Sequence, residues 1–386
     1  MKANSSKKVL IVSPYFPPHL GGVEFYVQNI ASGLRKYFKW NIVIVTSNLK
    51  GKKVLVESRD GIKFYRLPIL FKISNTPINP MWFFHIKKII EKENPDVINA
   101  HIPVPFMGDI AALVKGNTPL VIMYHALSLY KENKSLISLF NIIAAVYSSI
   151  GKITLKKSNS IIVMVDMMRS SFSDDLKSKT HVVNNSIWSK DVLRKSKFTD
   201  NNKIVFIGSL EKTHSWKGLE QIIKAICLCI KKYDKDFNLY IIGDGDAKQT
   251  YVDLAKELGI VSNIHFCGAK FGAEKISILK NSSLLISYPT TSNDAFPTVF
   301  LEAWANCVPV ISSDMSPINT ILKHKKNGYL VAPNSPAALA KAINILFGNA
   351  PLRKEIIENS FKQVRLENLW DKNIKKIHNI FVDAIN

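Results

Sequence analysis

Two carboxylates, Asp294 and Glu302, stand eight positions apart in the stretch "NDAFPTVFLEAWANCVPVI" (293–311), with a largely apolar run between them. Pro297 suits the first turn of a helix, which puts Asp294 in a loop and Glu302 about one and a half turns into the helix at 3.6 residues per turn. Acids so placed can contact different parts of one elongated ligand, and the free amides of the helix start can receive an anion. Taken singly, they also read as a loop or N-cap Asp and a solvent-facing helical Glu. In "FIGSLEKTHSWKGLEQIIKA" (206–225), Lys212, Lys217 and Gly218 precede a helix. A lysine there can neutralise a departing diphosphate, although both lysines also read as solvated loop residues. In "SPYFPPHLGGVEFYVQNIASGL" (13–34), Gly21 and Gly22 enter a helix. They would let the backbone approach a phosphate at the helix N-terminus, or serve only the sterics of the turn.

These groups are positioned by an alternation of strands and helices. Short β-branched runs, "KVLIV" (8–12), "NIVIV" (41–45), "DVINA" (96–100), "LVIMY" (120–124) and "IIVMV" (161–165), are separated by helix-length amphipathic segments, the pattern of a parallel α/β sheet. The cycle restarts with "KIVFIG" (203–208), "NLYIIG" (238–243), "IHFCG" (264–268), "LLISY" (284–288) and "VPVIS" (308–312). A polar connector, 181–203, separates the two series and sets the expected boundary near Ser189. Open α/β sheets bind ligands at the carboxyl ends of their strands, where all three groups fall.

A length of 386 residues suits two domains, and a 47% hydrophobic content suits sizeable cores. The net charge of +22, from 52 Lys and Arg against 30 Asp and Glu, draws the chain to polyanions. The lysines are spread rather than striped among aromatics, so an anionic membrane face or a phosphorylated substrate is the expected partner, and nucleic acid is not. The four cysteines (227, 229, 267, 307) lack a CxxC spacing and suit a reducing compartment. The apolar run before Ser13 and Pro14 is too short for a signal peptide, so a cytoplasmic location is expected. Residues 135–155, apolar but interrupted by Asn141, Gly151 and Lys152, read as a core or membrane-surface helix rather than a span.

Together, "FPPHLGGVE", "NPDVINAH" ending at His101, "VIMYH" ending at His125, "KGLEQIIKA", "GDGDAKQTYVDLAKELGIVSNIHFCG" and above all "DAFPTVFLEAWANCVPVIS" resemble glycosyltransferase family 4 over nearly the whole chain. The resemblance implies a retaining sugar transferase with two Rossmann-like domains facing each other across a cleft, the GT-B arrangement. An acceptor-binding domain would span 1–188 and a nucleotide-sugar-binding domain 189–365, with a helix at 366–386 returning to the first. It implies transfer from a UDP- or GDP-sugar, a substrate rather than a cofactor, to a hydroxyl of a glycan or lipid-linked glycan.

By position, the resemblance gives Glu302 the ribose hydroxyls and Asp294, in place of the family's first Glu, the donor sugar. Lys217 takes the diphosphate, Gly21 and Gly22 the contact from the first domain, and His125 a place beside the donor sugar. Phe296 and Thr298 fall among the donor contacts. Ser209 stands in "GSL" where the family commonly has Arg, and Lys212 is the candidate replacement for that cation. The "GDGD" at 243–246 resembles a metal-binding D-x-D but reads better as a strand-to-helix turn, so metal-independent transfer is expected. A nucleotide-sugar epimerase of the same architecture and a non-catalytic polyanion-binding relative are the alternatives.

Overall fold

The apolar runs become strands because a strand buried on both faces by crossover helices needs side chains that need no partner. Val9 to Val12 have no exposed surface at all. The structure, a computed structural model, describes residues 6–17, 21–49, 51–73, 76–125, 149–194, 198–292 and 296–386. It divides into two units, one of residues up to Asn185 with Trp370–Asn386, the other Ser186–Leu369.

The strands of the first unit are β1 (Lys8–Val12), β2 (Asn41–Asn48), β3 (Leu55–Arg59), β4 (Ile62–Pro68), β5 (Phe71–Ile73), β6 (Thr76–Ile78), β7 (Val97–Ile102), β8 (Leu120–Tyr124), β9 (Ser160–Val163) and β10 (Thr180–Val182). Eight form one sheet in the order β10-β9-β8-β7-β1-β2-β4-β3, while β5 and β6 pair apart as a hairpin. Every pairing in the large sheet is parallel except β3 with β4. The strand order reverses between β1 and β7, where a doubly wound sheet opens for a ligand. Helices α1 (Gly22–Phe38), α2 (Trp82–Glu93) and α3 (Met107–Val114) belong to this unit.

So does the last helix, Trp370–Ile385, which packs along α1. Trp370 and Phe381 are fully buried. Tyr37 Oη donates to Asp371 Oδ1 at 2.7 Å, Trp40 Nε1 donates to His378 Nδ1 at 3.0 Å, and the His378 ring stacks on Phe38 with centroids 3.8 Å apart.

The second unit holds β11 (Lys203–Ile207), β12 (Asn238–Ile242), β13 (Ile264–Gly268), β14 (Leu284–Ser287), β15 (Val310–Ser313) and β16 (Tyr329–Val331). They form an all-parallel sheet in the order β13-β12-β11-β14-β15-β16, reversing between β11 and β14. Of the expected helix at 135–155, residues 135–148 lie outside the described residues, and 149–157 is helical. Among the described residues no helix is long and apolar enough to cross a membrane.

Candidate active site

In the second unit the loop after β11 is gripped from two sides. On one side is the "GDGD" turn after β12. Gly208 N donates to Ile242 O at 3.0 Å and Leu210 N to Asp244 O at 2.9 Å, while Asp246 Oδ1 accepts from Lys212 N at 2.7 Å. Asp244 Oδ1 accepts from Gly245 N at 2.9 Å. A Cβ on Gly245, whose φ is 156°, would lie 2.3 Å from Glu211 N. Both acidic side chains therefore hold turn and loop amides.

On the other side is the segment after β14. Thr290 N donates to Trp216 O at 2.7 Å. Gly218 has φ +74°, and a Cβ there would sit 1.9 Å from Tyr288 O, so both conformation and space demand glycine. These grips place Lys217 just before Gly218, the N-cap of the helix Leu219–Tyr233, with Nζ 4.6 Å from the Trp216 ring centroid. Ser209 Oγ accepts from Glu211 N at 3.3 Å and faces His214 Nδ1 at 3.2 Å. Burial, with Lys217 nearby, pushes His214 below its ordinary value. Lys212 is held by its backbone and its side chain is exposed, whereas Lys217 is half-buried.

The helix Thr298–Ala305 starts one residue later than expected, with Pro297 as its extended cap at φ −60° and ψ 120°. Phe296 is buried and Thr298 opens the helix. Glu302 sits about one turn in. Its Oε1 pairs with Lys275 Nζ at 2.7 Å, both side chains being less than a fifth exposed, and its Oε2 is buried with no hydrogen-bond partner among the described residues. Asp294 lies outside the described residues.

In the first unit, Gly21 caps α1 in an extended conformation, and a Cβ there would meet Glu24 Oε2 at 2.4 Å. Gly22, the first helical residue, has no described atom within 4 Å of where its Cβ would be, so packing does not account for that glycine. His125 follows β8, its N–H donating to Ile102 O at 2.9 Å. Its Nε2 is 2.8 Å from His101 Nδ1, and His101 Nε2 is 3.1 Å from Asn99 Oδ1. Tyr26 of α1 packs edge-on to His125 with centroids 5.3 Å apart. Burial pushes His125 down to about 3 and His101 well below the ordinary histidine value.

The residues reached from sequence thus form two groups, one in each unit: Gly21, Gly22 and His125; and Ser209, Lys212, Lys217, Phe296, Thr298 and Glu302. Sequence reading missed Lys275, His214, Asn99 and Tyr26. Asn99 and His101 carried a signal, alternating polar residues inside an otherwise apolar inner strand. Lys275 carried none, because it meets Glu302 only through packing of separate helices.

The model for Glycosyltransferase Family 4 matches residues 20–187, and that for Glycosyl transferases group 1 matches 189–363. An uncharacterized glycosyltransferase of Methanocaldococcus jannaschii is 24% identical, covering 98% of this chain and 99% of its own. The Campylobacter jejuni GalNAc-α-(1→4)-GalNAc-α-(1→3)-diNAcBac-PP-undecaprenol α-1,4-N-acetyl-D-galactosaminyltransferase is 23% identical, covering 77% and 79%. Among solved structures, Anabaena HepE in complex with UDP superposes with a TM-score of 0.73 at 16% identity, over 98% of this chain and 100% of that one. Sucrose-phosphate synthase from Thermosynechococcus elongatus reaches 0.76 at 15% identity, over 98% of both. These likenesses establish the two-domain GT-B fold.

Proposed function

The chain belongs to the group 1 glycosyltransferases of glycosyltransferase family 4, and on that premise we propose that it moves a sugar, with retention of configuration, from a UDP- or GDP-sugar to a hydroxyl of a glycan or lipid-linked glycan. The observation that carries this reading is Glu302, a carboxylate held by Lys275 through one oxygen while the other is buried with no hydrogen-bond partner among the described residues. An unsatisfied buried acceptor costs about 1–3 kcal/mol, and a ribose hydroxyl supplies the missing donor. The UDP bound in the HepE structure supports the same class of donor.

In this reading Lys217, beside a helix N-terminus, takes the charge that grows on the diphosphate as the glycosidic bond breaks. Ser209 and Lys212 line the same loop. Gly22 gives the diphosphate backbone access at the start of α1. Thr298 and Phe296 border the donor, and Asp294 and His125 attend the sugar. The departing diphosphate helps deprotonate the acceptor on the same face, so the protein contributes positioning and charge stabilisation, without a metal.

The acceptor reading draws on the undecaprenol-linked substrate in the C. jejuni relative's name and on a surface of the first unit. Leu70, Phe71, Met81, Phe83 and Phe84 are exposed beside exposed Lys72, Lys87 and Lys88. Leu70 N donates to Ile78 O at 2.8 Å and Met81 N to Asn79 Oδ1 at 2.9 Å, which keeps the hairpin and the start of α2 together. Apolar side chains among lysines suit the anionic inner face of a membrane, where a cytoplasmic enzyme would meet a lipid-linked acceptor.

The test is release of nucleoside diphosphate from a panel of UDP- and GDP-sugars, with and without an undecaprenyl-diphosphate-linked glycan. Release that depends on the acceptor supports the reading. Conversion of the sugar nucleotide without acceptor, or no binding of UDP or GDP in a thermal-shift assay, overturns it; saturation at 100 times the dissociation constant stabilises by about 2.7 kcal/mol.

A further inference from the structure

We infer that Asn99 and His101 are positioning residues that fix His125 in its Nε2–H tautomer, so that its buried Nδ1 only accepts and takes a hydroxyl of the donor sugar rather than the diphosphate. The inference rests on the reading of His125 as a donor-sugar contact.

The argument starts from an amide whose orientation is determined. Asn99 lies on β7 opposite Val121 of β8, is fully buried, and has Nδ2 3.1 Å from Val121 O. The carbonyl only accepts, so the nitrogen must face it; a flipped amide would set two acceptors against each other. Asn99 Oδ1 is therefore the atom 3.1 Å from His101 Nε2, and that nitrogen must carry a proton. Burial keeps His101 neutral, which leaves Nδ1 bare. The bare Nδ1 accepts at 2.8 Å, and among the described residues the atom there to donate is His125 Nε2. His125, neutral for the same reason, is left with a bare Nδ1 that is buried and has no partner among the described residues.

The three hydrogen bonds run one way, from His125 through His101 and Asn99 to the Val121 carbonyl. Ring rotation cannot reverse them without breaking at least one. The imidazole planes are nearly parallel, at 16°, and Tyr26 closes on His125 at 86°. A lone pair repels a phosphate oxygen and binds a hydroxyl, which separates the task of His125 from that of Lys217.

Long-range 1H–15N spectra of the full chain carrying 15N-labelled histidine read the tautomer of each ring. Both rings should carry the proton on Nε2 from about pH 7.5 down to about pH 5.5. A proton on His125 Nδ1, or an imidazolium in that range, overturns the relay. His101→Phe should mix the His125 tautomers and lower kcat/KM for the nucleotide sugar about tenfold, with affinity for bare UDP or GDP unchanged. His101→Gln, whose amide offers an acceptor to His125 and a donor to Asn99, should restore most of that loss. Full turnover in His125→Ala would remove both the donor-site reading and the relay. A large loss in His125→Ala with none in His101→Phe would keep the reading and reject the relay.

Discussion

Lys275 holds Glu302 by one oxygen at 2.7 Å, while the other is buried with no hydrogen-bond partner among the described residues, so the pair works as a bracket presenting one edge of a carboxylate. Glu302→Gln should weaken UDP or GDP binding about ten- to over a hundredfold, as expected for a hydrogen bond of about 1.5–3 kcal/mol to a charged group. Lys275→Met should cost less, about three- to tenfold, because the carboxylate remains but is no longer oriented. Calorimetry with the bare nucleotide measures both, and equal affinity in wild type and Glu302→Gln would reject the ribose contact.

Lys217→Ala should leave the thermal midpoint unchanged and lower kcat about ten- to a hundredfold, since its contact strengthens as charge develops on the leaving group. Steady-state turnover beside a melting curve separates the two effects. Unchanged turnover would take Lys217 out of the site.

Two glycines should respond oppositely to alanine. At Gly218 a Cβ meets Tyr288 O at 1.9 Å in a left-handed conformation, so Gly218→Ala should destabilise by about 2 kcal/mol or more and lower the midpoint by several degrees. At Gly22 no described atom meets the Cβ, so Gly22→Ala should melt like wild type and lose turnover because the methyl obstructs the diphosphate. An active Gly22→Ala enzyme would show that the donor does not approach there.

His125, pushed down to about 3 in the folded chain, binds fewer protons there than when unfolded. Its stabilising contribution is therefore complete above the unfolded value near 6.5 and is lost as pH falls from there toward 3. One such histidine contributes a slope approaching about 1.4 kcal/mol per pH unit below pH 6. Denaturant unfolding at pH 6.5 and 5 should show a smaller drop in His125→Gln than in wild type; equal drops would mean that His125 titrates normally.

Excess EDTA should leave transfer unaffected. The Asp244→Asn, Asp246→Asn double variant should remain active, since asparagine keeps an acceptor oxygen for the amides of Gly245 and Lys212. Complete inhibition by EDTA, reversed by a divalent cation, would overturn the metal-free reading.

The inner strands were legible because a parallel strand covered on both faces becomes an unbroken apolar run, as at "KVLIV" and "LLISY". Edge strand β3, "LVESR", and the β5–β6 hairpin carry no such run, and sequence reading passed over them. Gly218 and Lys217 were found because loop chemistry before a helix is local. The partners of Glu302 and His125 were not, since Lys275 is 27 residues away on another helix and His101 lies 24 residues before His125 on a neighbouring strand. Contacts of that kind depend on register and packing, which a linear reading does not contain.

The first unit takes its last helix from beyond the second, and this bears on synthesis. Ser186–Leu369 leaves the ribosome as one continuous stretch and can complete its sheet while the earlier residues still lack Trp370, His378 and Phe381. Until those arrive, Tyr26 lacks its ring contact with Trp370, and Trp40 lacks those with His378 and Phe381. The amino-terminal unit, translated first, is therefore completed only once Trp370–Asn386 has been made, and a ribosome stalled before Trp370 would leave those contacts unmade.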